Sequence, residues 1–364
     1  MAPHTTPRPS PRLADAVSAA TAGGEVGERL VCADNRVEII VGDCRETLAA
    51  LPEASVDCIV TSPPYYGLRD YGCDGQIGLE QTPAAYVAEI VAVMRACRRV
   101  LKPGGTLWVN IGDSYAGGPQ TGKSGSKHGS IGSYSERGRG APIARMGADT
   151  KPKDLLMIPA SVAIALRADG WWLRSEIIWH KPNPMPESVR DRPTKAHEQV
   201  FMLSNAERYW YDKDAIAEPA TYAGKVVTLG EKSLSRGQAT GASVAASGNA
   251  IADSVTVADL RNARTVWTIA TEPCDLAHFA LMPTDLARRC ILAGCPKGGV
   301  VLDPFGGGGT TGLTAARHGR RAILCELNPE YAAIARQRIA REWREAVKPT
   351  DPMDAGPLFM GAAE

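Results

Sequence analysis

Charge of one sign is the first thing this 364-residue sequence lacks: 41 Lys and Arg stand against 40 Asp and Glu, a net charge of +1. That balance argues against a histone-like or tail-driven nucleic-acid binder, which needs a strong basic excess, but it leaves room for a local basic patch. There is no apolar run of roughly 18 residues, so no membrane span is expected. The nine cysteines are odd in number and contain no Cys-x-x-Cys pair, which reads as reduced core thiols in a cytoplasmic protein. The six histidines show no His-Glu-x-x-His spacing, so no metal centre is expected. The opening MAPHTTPRPSPRLADAVSAATAGG has no apolar signal core. Residues 1–29 and 347–364 are expected to be disordered tails around one large domain, 30–346.

What is present is a βαβ rhythm. RVEIIV at 36–41 and VDCIV at 56–60 read as strands, with a short helix at about 45–51 between them. Thr82-Pro83 reads as the cap and first residue of a helix, and Lys102-Pro103-Gly104-Gly105 as its stop before the strand TLWVNIG. A helix at 159–168 and strands at 173–179 and 198–203 follow. TVWTI, a helix at 284–293, the strand VVLDPF, a Gly-rich turn with its helix, the strand RRAILCEL and a helix opened by Asn328-Pro329 complete the series. Such alternation predicts an α/β fold on a parallel sheet.

Two turns carry chemistry. Asp303-Pro304-Phe305-Gly306-Gly307-Gly308-Gly309-Thr310-Thr311-Gly312 follows a buried-type strand and opens a helix. Glycines let backbone approach a ligand, and the next strand ends in Glu326, an acceptor for ribose hydroxyls. Gly307, Gly309 and Gly312 satisfy G-x-G-x-x-G with Glu326 about 20 residues on, so a dinucleotide and S-adenosylmethionine both stay open on this turn alone. Thr61-Ser62-Pro63-Pro64-Tyr65-Tyr66 also ends a strand. Its prolines stiffen a turn that aims carbonyls outward, Ser62 offers an acceptor and Tyr65 a flat face. Such a turn holds an exocyclic amine by both N–H bonds and stacks its ring. Taken alone, it is as readily a structural proline turn over a core tyrosine.

Together these residues resemble the amino-group DNA methyltransferases of the beta group, in which the catalytic turn precedes the cofactor turn. GDCRETLAALP, LKPGGTLWVNIGDSY, SEIIWHKPNPMPESVRDRPTKAHE, RYWYDKDAI and HFALMPTDLARRCILAGCP extend the resemblance over most of residues 36–340. It implies a Rossmann-like S-adenosylmethionine-dependent methyltransferase sheet with helices on both faces, a circularly permuted motif order and an inserted target-recognition region. It further implies that Asp303, Phe305, Gly306 and Gly308 wrap the cofactor, and that Thr310 and Thr311 cap the helix and reach the methionine carboxylate. Glu326 would hold the ribose, Asp43 would lie near the adenine, and His278, Phe279 and Pro283 would cover the methionine part. Ser62, Pro63, Pro64 and Tyr65 would hold the flipped base. Met282 departs from the aromatic residue such a cover usually has.

Ser62 favours N4 of cytosine; adenine-N6 enzymes of the family usually carry Asp or Asn there and stay the alternative. A nicotinamide-dependent oxidoreductase is a remote second reading that leaves Ser62–Tyr65 without a role. C5-cytosine chemistry needs a cysteine after proline, and Pro273-Cys274 lacks the neighbouring motifs. The implied partner is double-stranded DNA, since a paired base cannot reach such a pocket without flipping. The enzyme is either restriction-linked, with a cognate restriction endonuclease, or solitary; monomer and homodimer both stay open. Residues 116–150 hold nine Gly, five Lys or Arg and two acids. Lys123, Lys127, Arg137, Arg139 and Arg145 of that loop are the candidate phosphate contacts, and 215–262 is the candidate recognition region. Arg190, Arg192 and Lys195 form a second basic cluster that could also meet phosphates; Asp191 and Glu198 partly neutralise it, so a structural ion network is the equal alternative.

Overall fold

The computed structural model describes residues 27–117, 150–184, 186–221, 223–224, 226–228, 254–256, 259–272 and 281–347. Nine strands form one sheet: β1 (Arg29–Cys32), β2 (Val37–Val41), β3 (Val56–Thr61), β4 (Leu101–Ile111), β5 (Trp172–His180), β6 (His197–Ser204), β7 (Val266–Thr268), β8 (Val300–Asp303) and β9 (Arg321–Glu326). Their spatial order is β1-β2-β9-β8-β3-β4-β6-β5-β7. The run from β2 to β4 is parallel throughout. These strands are buried on both faces, which is why VEIIV and VVLD read as near-continuous apolar runs.

The sheet is mixed where the sequence pattern suggested only parallel pairing. β6 pairs antiparallel with both β4 and β5, and β1 antiparallel with β2. The segment joining β5 to β6 contains no helix, and a parallel return needs a crossover of a dozen residues or more, usually helical. The antiparallel return places the start of β6 at the edge where the parallel strands end.

Helices α1 (Cys44–Ala50), α2 (Pro83–Val100) and α3 (Ile158–Ala168) pack on one face; α4 (Thr284–Gly294), α5 (Thr310–Arg317) and α6 (Pro329–Val347) pack on the other. The strands alternate between two cores: Ile40, Ile59 and Leu107 with α1–α3, Ile39, Cys58 and Trp108 with α4–α6. Helix α2 begins as its sequence requires, Thr82 Oγ1 accepting from the Ala85 N–H at 3.1 Å with Pro83 behind it. Its end differs from expectation: β4 starts at Leu101 directly, so Lys102–Gly105 lie inside the strand. Gly104 takes φ +74° and the register shifts between Val56 and Cys58, which absorbs the proline.

The first strand starts at Arg29, the last residue of the expected tail. In the region 215–262, Glu218–Pro219 pairs with Leu260–Arg261 and Val226–Thr228 with Ser254–Thr256. Tyr115 and Ala116 pair back onto Asp154, Leu155 and Lys153, closing the base of the expected basic loop. Lys123, Lys127, Arg137, Arg139 and Arg145 lie outside the described residues, as do His278, Phe279 and Cys274. Among the described residues, no helix is long and apolar enough to cross a membrane.

Candidate functional site

The chain leaves β3 toward β4 on one side and β8 toward β9 on the other, so its path reverses between the neighbours β3 and β8. Ligands of open α/β sheets bind in the crevice at such a point. A cleft of about 740 Å³ opens there, lined by residues from both chemical turns.

On the β8 side, Asp303 organises the turn. It accepts from Thr61 Oγ1 at 2.6 Å, Thr311 Oγ1 at 2.8 Å and the Phe305 N–H at 3.0 Å. Burial pushes its carboxyl up to about 7, against the pull of those three donors. Because Thr61 immediately precedes Ser62, Asp303 ties the glycine turn to the proline turn. Gly307 and Gly309 take φ +50° and +78°, conformations a side chain resists. A Cβ on Gly308 would meet Leu281 Cδ2 at 2.4 Å, so the glycine lets that side chain of the segment preceding α4 lie against the turn. Arg338 of α6 donates to the Gly308 carbonyl at 2.8 Å and to Thr310 Oγ1 at 2.9 Å, fastening the turn from behind.

Several expected roles change. The N-cap of α5 is Gly309, with no side-chain cap. Thr310 and Thr311 lie inside the helix, their hydroxyls taken by Arg338 and Asp303, because Gly309 in the left-handed region makes the turn without them. Pro283 stands at the N-cap of α4, and it is Leu281 and Met282 that line the cleft. Asp43 lines the cleft, but its carboxylate caps α1 through the Arg45 N–H and pairs with the Arg45 guanidinium. Glu326 lines it too: Oε2 accepts from the Gly307 N–H at 2.8 Å and Oε1 from the Asn328 N–H at 2.9 Å. Each oxygen keeps a further lone pair for a diol. Burial holds this carboxyl above its usual range. Tyr71 and Tyr331 meet edge to face at 6.2 Å beside it and line the same end.

On the β3 side, Ser62, Pro63, Pro64 and Tyr65 all line the cleft. Tyr86 Oη donates to the Pro64 carbonyl at 2.8 Å, and the Leu68 N–H to the Tyr65 carbonyl at 3.3 Å. Among the described residues no donor meets the Pro63 carbonyl, which with Ser62 Oγ is a candidate acceptor of the turn. A Cβ on Gly112 would sit 2.6 Å from Tyr65 Cε2, so the glycine backs one face of the ring.

Three polar residues here were not singled out as site residues from the sequence. Tyr65 Oη donates to Glu198 Oε2 at 2.6 Å. Asn110 Nδ2 donates to Tyr65 Oη at 2.9 Å and to Glu198 Oε2 at 3.0 Å. Lys181 Nζ donates to Glu198 Oε1 at 2.5 Å. Asn110 lies one residue before the end of β4, Lys181 follows β5 and Glu198 is the second residue of β6, so all three stand on the edge where the cofactor turn lies. Burial and the Glu198 carboxylate push the Tyr65 phenol well above its ordinary range. In the second basic cluster, Arg192 pairs with Glu187 and lies over the Tyr115 ring, while Asp191 pairs with Lys153 and Glu198 faces the cleft.

Comparison with known proteins agrees with this geometry. The family model described as DNA methylase, N6_N4_Mtase, matches residues 56–337. The Type II methyltransferase M.SmaI of Serratia marcescens is 45% identical over 306 residues, 84% of this chain and 91% of that protein. M.Cfr9I of Citrobacter freundii is 42% identical over 308 residues, 85% and 89% of the two chains. The solved PvuII DNA methyltransferase (cytosine-N4-specific) superposes with a TM-score of 0.56 at 18% identity, covering 88% of this chain and 96% of that one, which shows the shared fold. S-adenosylmethionine is the methyl donor of such methylases. The residues present fit it: a diol acceptor at Glu326, an aromatic wall at its side and a glycine turn held open between them.

Proposed function

The chain belongs to the N6_N4_Mtase family of DNA methylases, and from that premise we propose that it methylates the exocyclic N4 amine of a cytosine flipped out of duplex DNA. One observation carries the reading. Ser62 and Pro63 both line the cleft just after β3 and offer two acceptors, Ser62 Oγ and the Pro63 carbonyl, while the cofactor turn follows the adjacent β8. An aromatic amine is a poor nucleophile because its lone pair is delocalised into the ring. Two acceptors that take both N–H bonds favour a more tetrahedral nitrogen with its lone pair aimed at the methyl carbon, which is stabilisation by groups already in place. Bound S-adenosylmethionine supplies a sulfonium-activated methyl group. Tyr65, backed by Gly112, offers its other face to the base.

Serine at 62 supports cytosine as a correlate of that branch, the adenine branch carrying Asp or Asn there; either side chain can accept one N–H. Phosphate contacts fall to Lys123, Lys127, Arg137, Arg139 and Arg145. The Type II relatives support a role in restriction-modification beside a cognate endonuclease, and a cytoplasmic location is part of the same proposal. The test is methylation of varied duplex DNA with the purified protein and S-adenosylmethionine, followed by mass spectrometry of the nucleosides. N4-methyldeoxycytidine is expected; N6-methyladenine overturns the base assignment, and unmodified DNA overturns the activity.

A further inference from the structure

Methyl transfer to an amine leaves a surplus proton on nitrogen, and Ser62 cannot keep it. An aspartate at that position would be both acceptor and store for the proton; a hydroxyl can only take one proton while releasing another. The structure supplies a store two hydrogen bonds further out. Ser62 Oγ lies 3.4 Å from Tyr65 Oη, and Tyr65 Oη donates to Glu198 Oε2 at 2.6 Å. A carboxylate is acceptor-only, so the phenol proton must point at Glu198, and the Ser62 proton is then free to point at Tyr65. The direction of the chain is set. Asn110 Nδ2 sits against all three oxygens, 3.4 Å from Ser62 Oγ, 2.9 Å from Tyr65 Oη and 3.0 Å from Glu198 Oε2, and holds them in line. Lys181 holds the far oxygen of the carboxylate. Glu198 is 14% exposed, so the relay ends beside solvent without opening to it.

We propose that Ser62, Tyr65 and Glu198 form a proton relay, with Glu198 the terminal acceptor of the proton lost by the methylated amine. The N4 lone pair forms the N–C bond as the C–S bond breaks, its electrons returning to sulfur. The N4 proton moves to Ser62 Oγ, the Ser62 proton to Tyr65 Oη and the Tyr65 proton to Glu198 Oε2. Burial and the Glu198 carboxylate disfavour a free phenolate at Tyr65, so the proton arriving from Ser62 accompanies the one leaving for Glu198. Of the three links, the one from Ser62 to Tyr65 is the longest; hydrogen bonds of this kind commonly tighten when substrate binds. The inference rests on the amine-methylation reading above.

The experiment compares Glu198→Gln, Tyr65→Phe and their double variant in single-turnover methylation of duplex DNA. Each single variant is expected to lose about 100-fold in rate, the range of a positioned proton acceptor, with S-adenosylmethionine affinity within about twofold of wild type. The double variant is expected to lose no more than either single one, because both cut the same chain. The unliganded protein gives a readout free of turnover: the phenol signal missing from Tyr65→Phe should move to lower pH in Glu198→Gln. Multiplying losses in the double variant, or cofactor affinity that falls in step with rate, overturn the relay. A wild type that methylates DNA beside an undiminished Glu198→Gln overturns the relay alone. A wild type that leaves DNA unmodified overturns the functional reading and the relay with it.

Discussion

Asp303 joins two turns that are distant in sequence, and it does so at an electrostatic cost. Its carboxyl is raised by burial to about 7 from an ordinary value of 3.8. Between those values the folded protein holds a proton that the unfolded chain releases. The contribution of this group to stability is therefore full below about pH 4 and is lost as pH rises through about 7. Urea unfolding should show wild type losing about 1–3 kcal/mol relative to Asp303→Asn between pH 4.5 and 8. Parallel pH dependences would mean that Asp303 ionises freely in the fold. At this scale the sequence made Ser62, Tyr65, Glu326 and the glycines legible, because each lies in a contiguous motif that ends a strand. Glu198 was read only as a neutralising charge. Its partner Tyr65 is 133 residues away, and their meeting depends on the direction in which β6 runs, which the local pattern does not carry.

Elements were legible where local chemistry decides them. Thr82-Pro83 opens α2 and Asn328 Oδ1 accepts from the Glu330 N–H ahead of α6. What escaped was decided by tertiary contact. Strand pairing across β4, β6 and β5 follows from a helix-free connection, and the Gly309 cap follows from the close approach of α6. Gly309 combines φ +78° with a site where a Cβ would meet Ile339 Cδ1 at 2.7 Å. Gly309→Ala should lower stability by about 2–4 kcal/mol, from the left-handed backbone plus overpacking. A shift of the urea midpoint checks it, and an unchanged midpoint would mean that α5 and α6 have room to separate.

Over the whole molecule, the near-zero charge averages a cofactor-binding sheet with a Gly-rich basic segment, 116–150, of local charge near +3 from five basic and two acidic residues. A sheet with a core on each face brings the ends of seven strands and the start of β6 to one edge, and residues at or just beyond them line the cleft. Replacing Lys123 and Arg137 by alanine together should weaken DNA binding at every sequence and lower the slope of log K against log salt by about 2. Fluorescence anisotropy across a salt series reads this directly. An unchanged slope would take that segment off the DNA.

The central claim is that the turn after β3 and the turn after β8 are two halves of one methyl-transfer centre, the first for the base and the second for the cofactor. Tyr65→Ala separates the halves. Measured on the same folded sample by calorimetric titration and labelled-methyl transfer, it should keep S-adenosylmethionine affinity within about twofold and lose turnover by about 100-fold or more. Loss of cofactor binding in a variant that folds normally, or turnover close to wild type, would contradict the account.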